Sequence, residues 1–398
     1  MGKRTVEQHK TFTIYTTFIN QNQLYISASV TDKNANPTVT YAEIYCRILD
    51  ILLQEKMQIV HERLLGSNSL FAEIIKTREE ILHDKRIDED LPFTYLQGQP
   101  CWGEGFAGVQ IRAVAPHEPG DRVWTIYDND IPCGRGWSRN GATFLMLHSI
   151  HDFQQNPGYD KSREQQTSRM FDRAERILRE QSGSYRNVIR TWIFLPDILD
   201  WYAEFNQVRN AKYQQFGFIQ GNSTIIETEK IYLPASTGIQ GSNPYNAAVM
   251  MDVLAVIPGS GASVKIEPTS GVKQRSPFRY GSAFSRAMSI REPNTNIILV
   301  SGTASIDEQG KSVYIGDIRS QILKTIEVVD ALIAEEGASL NDVCDATVFL
   351  KRPEDFEIYQ KTAEECGLNG IPAVCVIADV CRDELLFELD ATVAFNIL

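Results

Sequence analysis

The sequence predicts an α+β fold built from repeats of one unit, with mixed sheets that carry helices on one face and pack as a pseudo-trimeric barrel. Three observations lead there. A run beginning QTSRMFDRAERILREQSG and continuing VIRTWIFLPDILDW returns downstream as QILKTIEVVDALIAEEG and VCDATVFLKRPEDF, and the spacing from Gln166 to Gln321 equals that from Phe194 to Phe349. The terminal strands GVQIRAVAP, VMMDVLAVIP and LFELDATVAF stack with Gln110, Asp252 and Glu388 at one position. The N-terminal stretch offers the same order in degraded form: QLYISASV, a helical pattern, then GFAGVQIRAVAP. A duplication of this kind decides the fold before local patterns do, because each copy buries its apolar face against its neighbours. Three copies in one chain make a fused trimer, with sites expected in the clefts between copies.

Residues 1–118, 119–260 and 275–398 are read as a degraded first unit, a second unit and a C-terminal unit. In the first, FTIYTTFI and QLYISASV alternate apolar and polar residues and predict two strands joined at NQNQ. Residues 41–65 place Ile44, Leu49, Ile51, Leu52, Met57 and Val60 at helical spacing and predict one long helix. Residues 70–76 and 108–115 predict strands, and the turn cluster PHEPGDR closes the unit. The second unit opens on strands at 122–126 and 142–148, with CGRGW at 133–137 read as a glycine-arginine loop on a pocket rim. A helix over 161–182, a strand over 188–194, a helix over 198–216, a glycine-bearing loop and a strand over 249–257 follow. Residues 258–277 (PGSGASVKIEPTSGVKQRSP) link it to the third unit. That order predicts helices over one face of each sheet, the other face turned toward the neighbouring units.

Composition narrows the function. With 398 residues, 43% of them hydrophobic, the chain can bury several cores. A net charge of −12 excludes a general nucleic-acid binder, which needs clustered Lys and Arg, yet leaves room for a small anionic carboxylate substrate held by local cations. No run approaches the ~18 apolar residues of a membrane span, and MGKRTVEQHK is not a signal peptide, so no membrane partner and a cytoplasmic location are expected. Val6 stands where N-myristoylation wants Ser or Thr. Seven cysteines without a CxxC pair predict reduced thiols. Among six histidines only His148 and His151 are close, without a third ligand nearby, so no metal is predicted. The oligomeric state stays open between a monomer and a homo-oligomer.

Several side chains carry chemistry. Glu388 lies in the apolar strand LLFELDA, where a carboxylate is costly to bury unless paired or protonated. An apolar setting raises its pKa and makes it a proton donor near neutral pH, as protonation of an enol ether at its methylene carbon requires. The alternative is a structural carboxylate answering Arg382 or a strand-edge lysine. Arg190, Arg209, Arg279 and Arg286 are candidate carboxylate ligands, because a guanidinium presents a planar fork. For each, the alternative is a salt bridge to one of the many acidic residues. Alternation in VIRTWIF puts Arg190, Trp192 and Phe194 on one face, and Arg209 lies four residues before Tyr213 on the next helix. PASTGIQGS offers Thr237, Gly238 and Gly241 to an anion or carbonyl oxygen, or else forms a plain turn; it is not a phosphate loop.

GSAFSRAM, SGTASID, IADVCR and FELDA together resemble the Rid superfamily (reactive-intermediate deaminase, YjgF-like), trimers of a chorismate-mutase-like unit with ligand sites between subunits. The longer resemblance is to the chorismatases, fused-repeat members that cleave the enolpyruvyl group from chorismate. RTW at 190–192, FNxxR at 205–209, PASTGIQG at 234–241, RSPFRYGSAFSRA at 275–287, SGTASI at 301–306 and ADVCRDELLFE at 378–388 carry it. The resemblance implies a cofactor-free release of pyruvate with formation of a hydroxybenzoate or dihydrodiol. It implies Glu388 as the acid and Cys381 as a thiol that assists aromatisation to 3-hydroxybenzoate, with Arg382 favouring the thiolate. Around the substrate it implies Arg190, Arg209, Tyr213, Thr237, Gly238, Tyr280, Arg286 and Ser301. For Cys381 the alternative is an ordinary buried thiol. The chain departs from the pattern in three places. IDEQGKS replaces an expected Gly-His, and Ile193 and Phe194 stand where Asn and Tyr are expected, which favours the alternative of a Rid-like metabolite-binding protein or enamine deaminase. Ala373 stands where simple Rid deaminases carry arginine, which counts against imine hydrolysis at the third unit.

Overall fold

The computed structural model describes residues 3–152, 162–218, 233–269, 283–368 and 370–397. Local signals set the element boundaries. Asn36 accepts from the Val39 amide and Pro37 occupies the first helical turn, so the first helix α1 starts there and runs Pro37–Glu55. Lys56, in the left-handed region at φ 55°, ends it. The expected helix over 41–65 is therefore too long: Gln58–Gly66 is a strand, β4, whose partner strands lie on both sides. The strand carries Ile59, Val60, Leu64 and Leu65 on either side of His61, Glu62 and Arg63, and a spacing of that kind directly after a helix does not separate strand from helix. Conversely, the strand expected over 70–76 is the start of a helix, α2 (Phe71–Asp84), with Ile74 and Leu82 buried.

The first sheet adds β1 (Lys3–Gln8), β2 (Phe12–Asn20), β3 (Gln23–Val30), β5 (Thr94–Gln97) and β6 (Phe106–Val114), in the order β1-β2-β3-β6-β4-β5. The second contains β7 (Val123–Asp128), β8 (Ile131–Arg139), β9 (Ala142–Ile150), β10 (Val188–Leu195), β11 (Ala235–Gln240) and β12 (Met250–Pro258), with α3 (Arg163–Glu180) and α4 (Ile198–Gln215). CGRGW is thus the middle of a strand and not a loop, and the glycine-bearing loop contains β11. The third contains β13 (Lys265–Thr269), β14 (Ala287–Glu292), β15 (Thr295–Ala304), β16 (Val343–Leu350), β17 (Ala373–Ile377) and β18 (Phe387–Asn396), with α5 (Ile318–Ala334) and α6 (Phe356–Glu365). The linker read over 258–277 contributes β13 to this sheet.

All three sheets share one topology. Read from the hairpin edge they are β1-β2-β3-β6-β4-β5, β7-β8-β9-β12-β10-β11 and β13-β14-β15-β18-β16-β17. The N-terminal sheet has the same strand order as the other two. In each, a parallel pair ends at the same rung, Gly66 with Gln97, Leu195 with Gln240 and Leu350 with Ile377. Phe194 and Phe349 therefore occupy equivalent positions. The same register corrects one expectation: Gln110, Asp252 and Asp390 face Arg63, Trp192 and Thr347. Asp390, not Glu388, is the equivalent of Gln110 and Asp252, and Glu388 stands one pleat earlier.

Helices pack on one face of each sheet, forming three separate cores. The other faces converge on a fourth core with residues of all three sheets, among them Tyr25, Trp192, Phe194, Leu299 and Phe349. The sheets remain separate and do not close into one hydrogen-bonded barrel. They are joined in a ring by equivalent backbone bonds of 3.0 Å, from the Gln97 amide to the Ser242 carbonyl, Gln240 to Asp379, and Ile377 to Gln99. Polar side chains repeat the ring. His61 Nε2 lies 3.2 Å from Asp252, Arg190 donates to Asp390 at 3.3 Å, and Gln110 donates to Asp345 at 2.8 Å. Each pair links the fourth strand of one unit to the last strand of the next, and each uses different residues.

Candidate functional site

The junction of the second and third sheets holds a cavity of about 650 Å³, within the size range of small-molecule sites. Its floor is β11 beside β15 and β18, and α4 forms one wall. A break in α4 shapes that wall. Asp197 enters with φ 50°, and Trp201 leaves the helical region at φ −151°, before the helix resumes with Tyr202, Asn206 and Arg209, which line the cavity. Phe284, Arg286, Gly302 and Cys381 come from the third unit.

Glu388 opens onto this space yet is only 4% exposed. Among the described residues no cation lies within ion-pair distance of its carboxyl group, and Arg382 turns away to the Gly310 carbonyl and Ser312. The structural pairing with Arg382 is thus not made. Burial first, and then the neighbouring Asp390 carboxylate, push the Glu388 pKa up to about 8, against the weaker pull of Arg190 and Arg286. At neutral pH Glu388 is a protonated acid. Gly302 makes room for it, since a side-chain carbon at that position would collide with its Oε1.

Behind Glu388, on the same face of β18, Asp390 accepts from Arg190 at 3.3 Å and from Thr237 Oγ1 at 2.9 Å. Thr237 in turn accepts from the Gly302 amide at 3.0 Å and from Arg190 at 2.7 Å. Arg190 stacks on Trp192 at 4.6 Å, and burial lowers its pKa to about 10, which still leaves it charged at neutral pH. Arg190 and Thr237 therefore do not line the cavity; they brace its floor. Ser301 is also structural, accepting from the Ser236 amide at 2.8 Å and donating to the Ser285 carbonyl at 2.6 Å.

Of the other sequence candidates, Arg209 and Arg286 line the cavity and flank Phe284, their guanidinium carbons 5.9 and 5.6 Å from its ring centre. Arg209 is 1% exposed; its Nη2 donates to Asn206 Oδ1 at 2.6 Å, and its Nε is buried without an acceptor among the described residues. Gly238 lines the cavity opposite the Tyr202 hydroxyl. Tyr213 lies elsewhere, in the core between α3 and α4 beside Tyr185 and Phe171. Arg279 and Tyr280 lie outside the described residues. The Cys381 thiol is pushed up to about 12 by burial and by Glu388, and Arg382 does not offset them, so it is not a thiolate at neutral pH. Ile193 and Phe194 face two different cores and do not border the cavity, so their polar counterparts would not face a ligand here.

Sequence reading missed Asp390, Tyr202 and Asn206. Asp390 had a signal, a second acid two residues after Glu388 on the same strand face; Tyr202 and Asn206 had none beyond lying on a helix that carries Arg209. At the equivalent positions of the other two junctions the acid is replaced by a buried apolar residue or a glycine. Met250 takes the place of Glu388 in the second sheet and Gly108 in the first, where Val374 packs against the glycine. No helix among the described residues is long and apolar enough to cross a membrane, and none of their His, Cys, Asp and Glu residues cluster to hold a metal.

Comparison with known proteins adds four findings. The family described as endoribonuclease L-PSP matches residues 279–395. A RutC family protein of Pyrococcus abyssi is 36% identical over 97 residues, 24% of this chain and 76% of that protein. A 3-hydroxybenzoate synthase of Streptomyces hygroscopicus is 27% identical over 319 residues, covering 74% of this chain and 87% of the relative. Among solved structures, that of a chorismatase superposes with a TM-score of 0.57 at 17% identity, covering 84% of this chain and 93% of that one, which establishes a shared fold.

Proposed function

From the premise that this chain belongs to the RutC family and is a chorismatase-like member of the Rid superfamily, we propose that it is an enzyme acting on chorismate, or on a closely related enolpyruvyl cyclohexadiene carboxylate. One observation carries the reading: a buried carboxylic acid kept protonated near neutral pH, facing a cavity that also holds Arg209 and Arg286. An enol ether reacts by protonation of its methylene carbon, which needs a proton donor and not a base. A dicarboxylate substrate needs two cationic contacts, and guanidinium groups supply them at fixed geometry.

In this reading Arg209 and Arg286 orient the two carboxylates, with Phe284 between them against the ring. Glu388 gives its proton to the enolpyruvyl methylene carbon, and the positive charge that develops on the ether carbon is met by the Glu388 carboxylate it leaves behind. Addition of water to that carbon and cleavage of the ether bond release pyruvate and a dihydrodiol; loss of water from the ring then gives a hydroxybenzoate. Cys381, a neutral thiol at the cavity wall, takes part at the ring and not as a pre-formed nucleophile. The Arg190–Asp390–Thr237 cluster fixes the floor on which Glu388 rests. Pyruvate release from chorismate, coupled to lactate dehydrogenase, tests the reading. Turnover lost in Glu388→Gln, with chorismate binding retained, supports it. Wild-type protein that neither binds chorismate nor releases pyruvate refutes it and leaves the metabolite-binding alternative.

A further inference from the structure

A second cavity, of about 350 Å³, lies away from Glu388 where the first and second units meet. Apolar side chains and polar groups share its walls: Leu49, Leu52, Met57, Ile59 and Leu91 come from the first unit, and Gln58, Asp88, Thr125 and Arg135 are the polar members. Its one buried charge is Arg135 on β8, the arginine of the CGRGW motif that the cavity at Glu388 does not use. The flanking glycines have steric reasons. A side-chain carbon at Gly134 would press on the Met146 carbonyl and Leu147, and one at Gly136 would collide with the Trp124 ring. Arg135, between them, points to the opposite face, toward the first unit.

Arg135 is 5% exposed and has only neutral partners: its Nε donates to the Ile59 carbonyl at 3.1 Å and its Nη1 to Thr125 at 2.5 Å. Among the described residues no carboxylate lies within 4.0 Å of it. Arg78, Arg139 and Arg190 are similarly buried, and each meets a carboxylate, at 2.7, 2.9 and 3.3 Å. Arg112 and Arg209, buried with amide partners and no carboxylate within 4.0 Å among the described residues, both line cavities, as Arg135 does. A buried guanidinium without an anion is costly, and evolution seldom keeps one in a wall that a methionine would fill better. Apolar side chains around a single aimed cation are the features that recognise an acid with a hydrophobic body. The volume sets the body at one ring or a short chain. Asp88 on the rim disfavours a second negative charge.

We propose that this cavity is a second binding site, for a small hydrophobic monocarboxylate whose carboxylate pairs with Arg135 and whose body lies among Leu52, Met57 and Leu91. The site is independent of the chemistry at Glu388. Benzoate is the probe and benzyl alcohol its neutral counterpart, titrated against the full chain by saturation-transfer NMR up to about 10 mM, the weakest affinity expected of a ligand this size. Arg209→Ala serves as the background that weakens carboxylate binding in the first cavity. Saturable benzoate binding in that background is expected, weaker by about tenfold or more for benzyl alcohol and in Arg135→Gln. Leu53, 51% exposed at the mouth, allows a second variant that leaves the core alone: Leu53→Trp narrows the entrance and abolishes binding. Circular dichroism checks the fold of each variant, and Leu53→Trp decides the matter if Arg135→Gln does not fold. Benzoate that fails to bind, binds no better than benzyl alcohol, or binds equally to Leu53→Trp overturns the proposal.

Discussion

Replacing Glu388 by Gln tests its protonation without any substrate. In the unfolded chain a glutamate releases its proton near pH 4.5, whereas burial beside Asp390 holds the folded-state value at about 8. The folded protein therefore binds a proton that the unfolded chain has lost, and stability must fall as pH rises through that window. The contribution is fully present below about pH 4.5, declines from there to about pH 8, and is constant above it. Each pH unit of the window is worth about 1.4 kcal/mol, which sets a ceiling of about 5 kcal/mol for the whole span. Gln has the same shape and no proton to lose, so Glu388→Gln should be close to wild type at pH 5 and clearly more stable at pH 8.5. Urea unfolding of both proteins across that range measures the difference, with matched slopes confirming that the unfolded states are comparable. A stability gap that does not change with pH would show that Glu388 is ionised throughout, and the acid role would fall with it. The same substitution should lower pyruvate release by about 10²–10⁴-fold, the usual cost of losing a general acid.

Arg209→Ala should raise KM for chorismate by about tenfold or more with a smaller change in kcat, read from initial rates of pyruvate release. Gly302→Ala places a methyl group against Oε1 of Glu388; it should displace the carboxyl group and depress kcat while leaving the melting temperature within a few degrees. Cys381, with its thiol held neutral, should resist iodoacetamide at pH 7.5 while exposed Cys366 reacts, as peptide mass spectrometry will report. Arg190→Met and Asp390→Leu should each cost about 3–5 kcal/mol in denaturant unfolding, and the double variant less than the sum, because each single change strands a buried charge.

What the sequence carried, and what it hid, follows from where each signal lies. The repeat was legible because a helix and the strand after it form one continuous stretch, so Gln166, Phe194, Gln321 and Phe349 kept their spacing. The stacking of the terminal strands slipped by one pleat because Glu388 and Asp390 are both acids on one strand face, and only cross-strand pairing tells which of them matches Asp252. Helix and strand were confused at β4 and α2, short segments whose apolar residues satisfy either period. The cavity-lining arginines were legible as types but not as places. Arg209 reaches the cavity because α4 breaks at Trp201, Arg190 does not because Asp390 holds it, and no local pattern encodes either outcome. The Tyr213 expectation failed for a related reason, since one helix presents some residues to a cleft and others to its own sheet.

The ring of unlike pairs that joins the units, His61 with Asp252, Arg190 with Asp390 and Gln110 with Asp345, has a consequence for ligand counting. A homotrimer repeats every residue three times and offers three identical clefts, so occupancy of one can bias the others. Once the copies share a chain, each junction mutates alone, and Met250 or Gly108 can replace the acid at one cleft without touching the acid in another. A titration of the cavity at Glu388 should then saturate at one equivalent per chain along a simple hyperbola. Homotropic cooperativity, open to a symmetric ancestor, would require this chain to associate with further copies of itself.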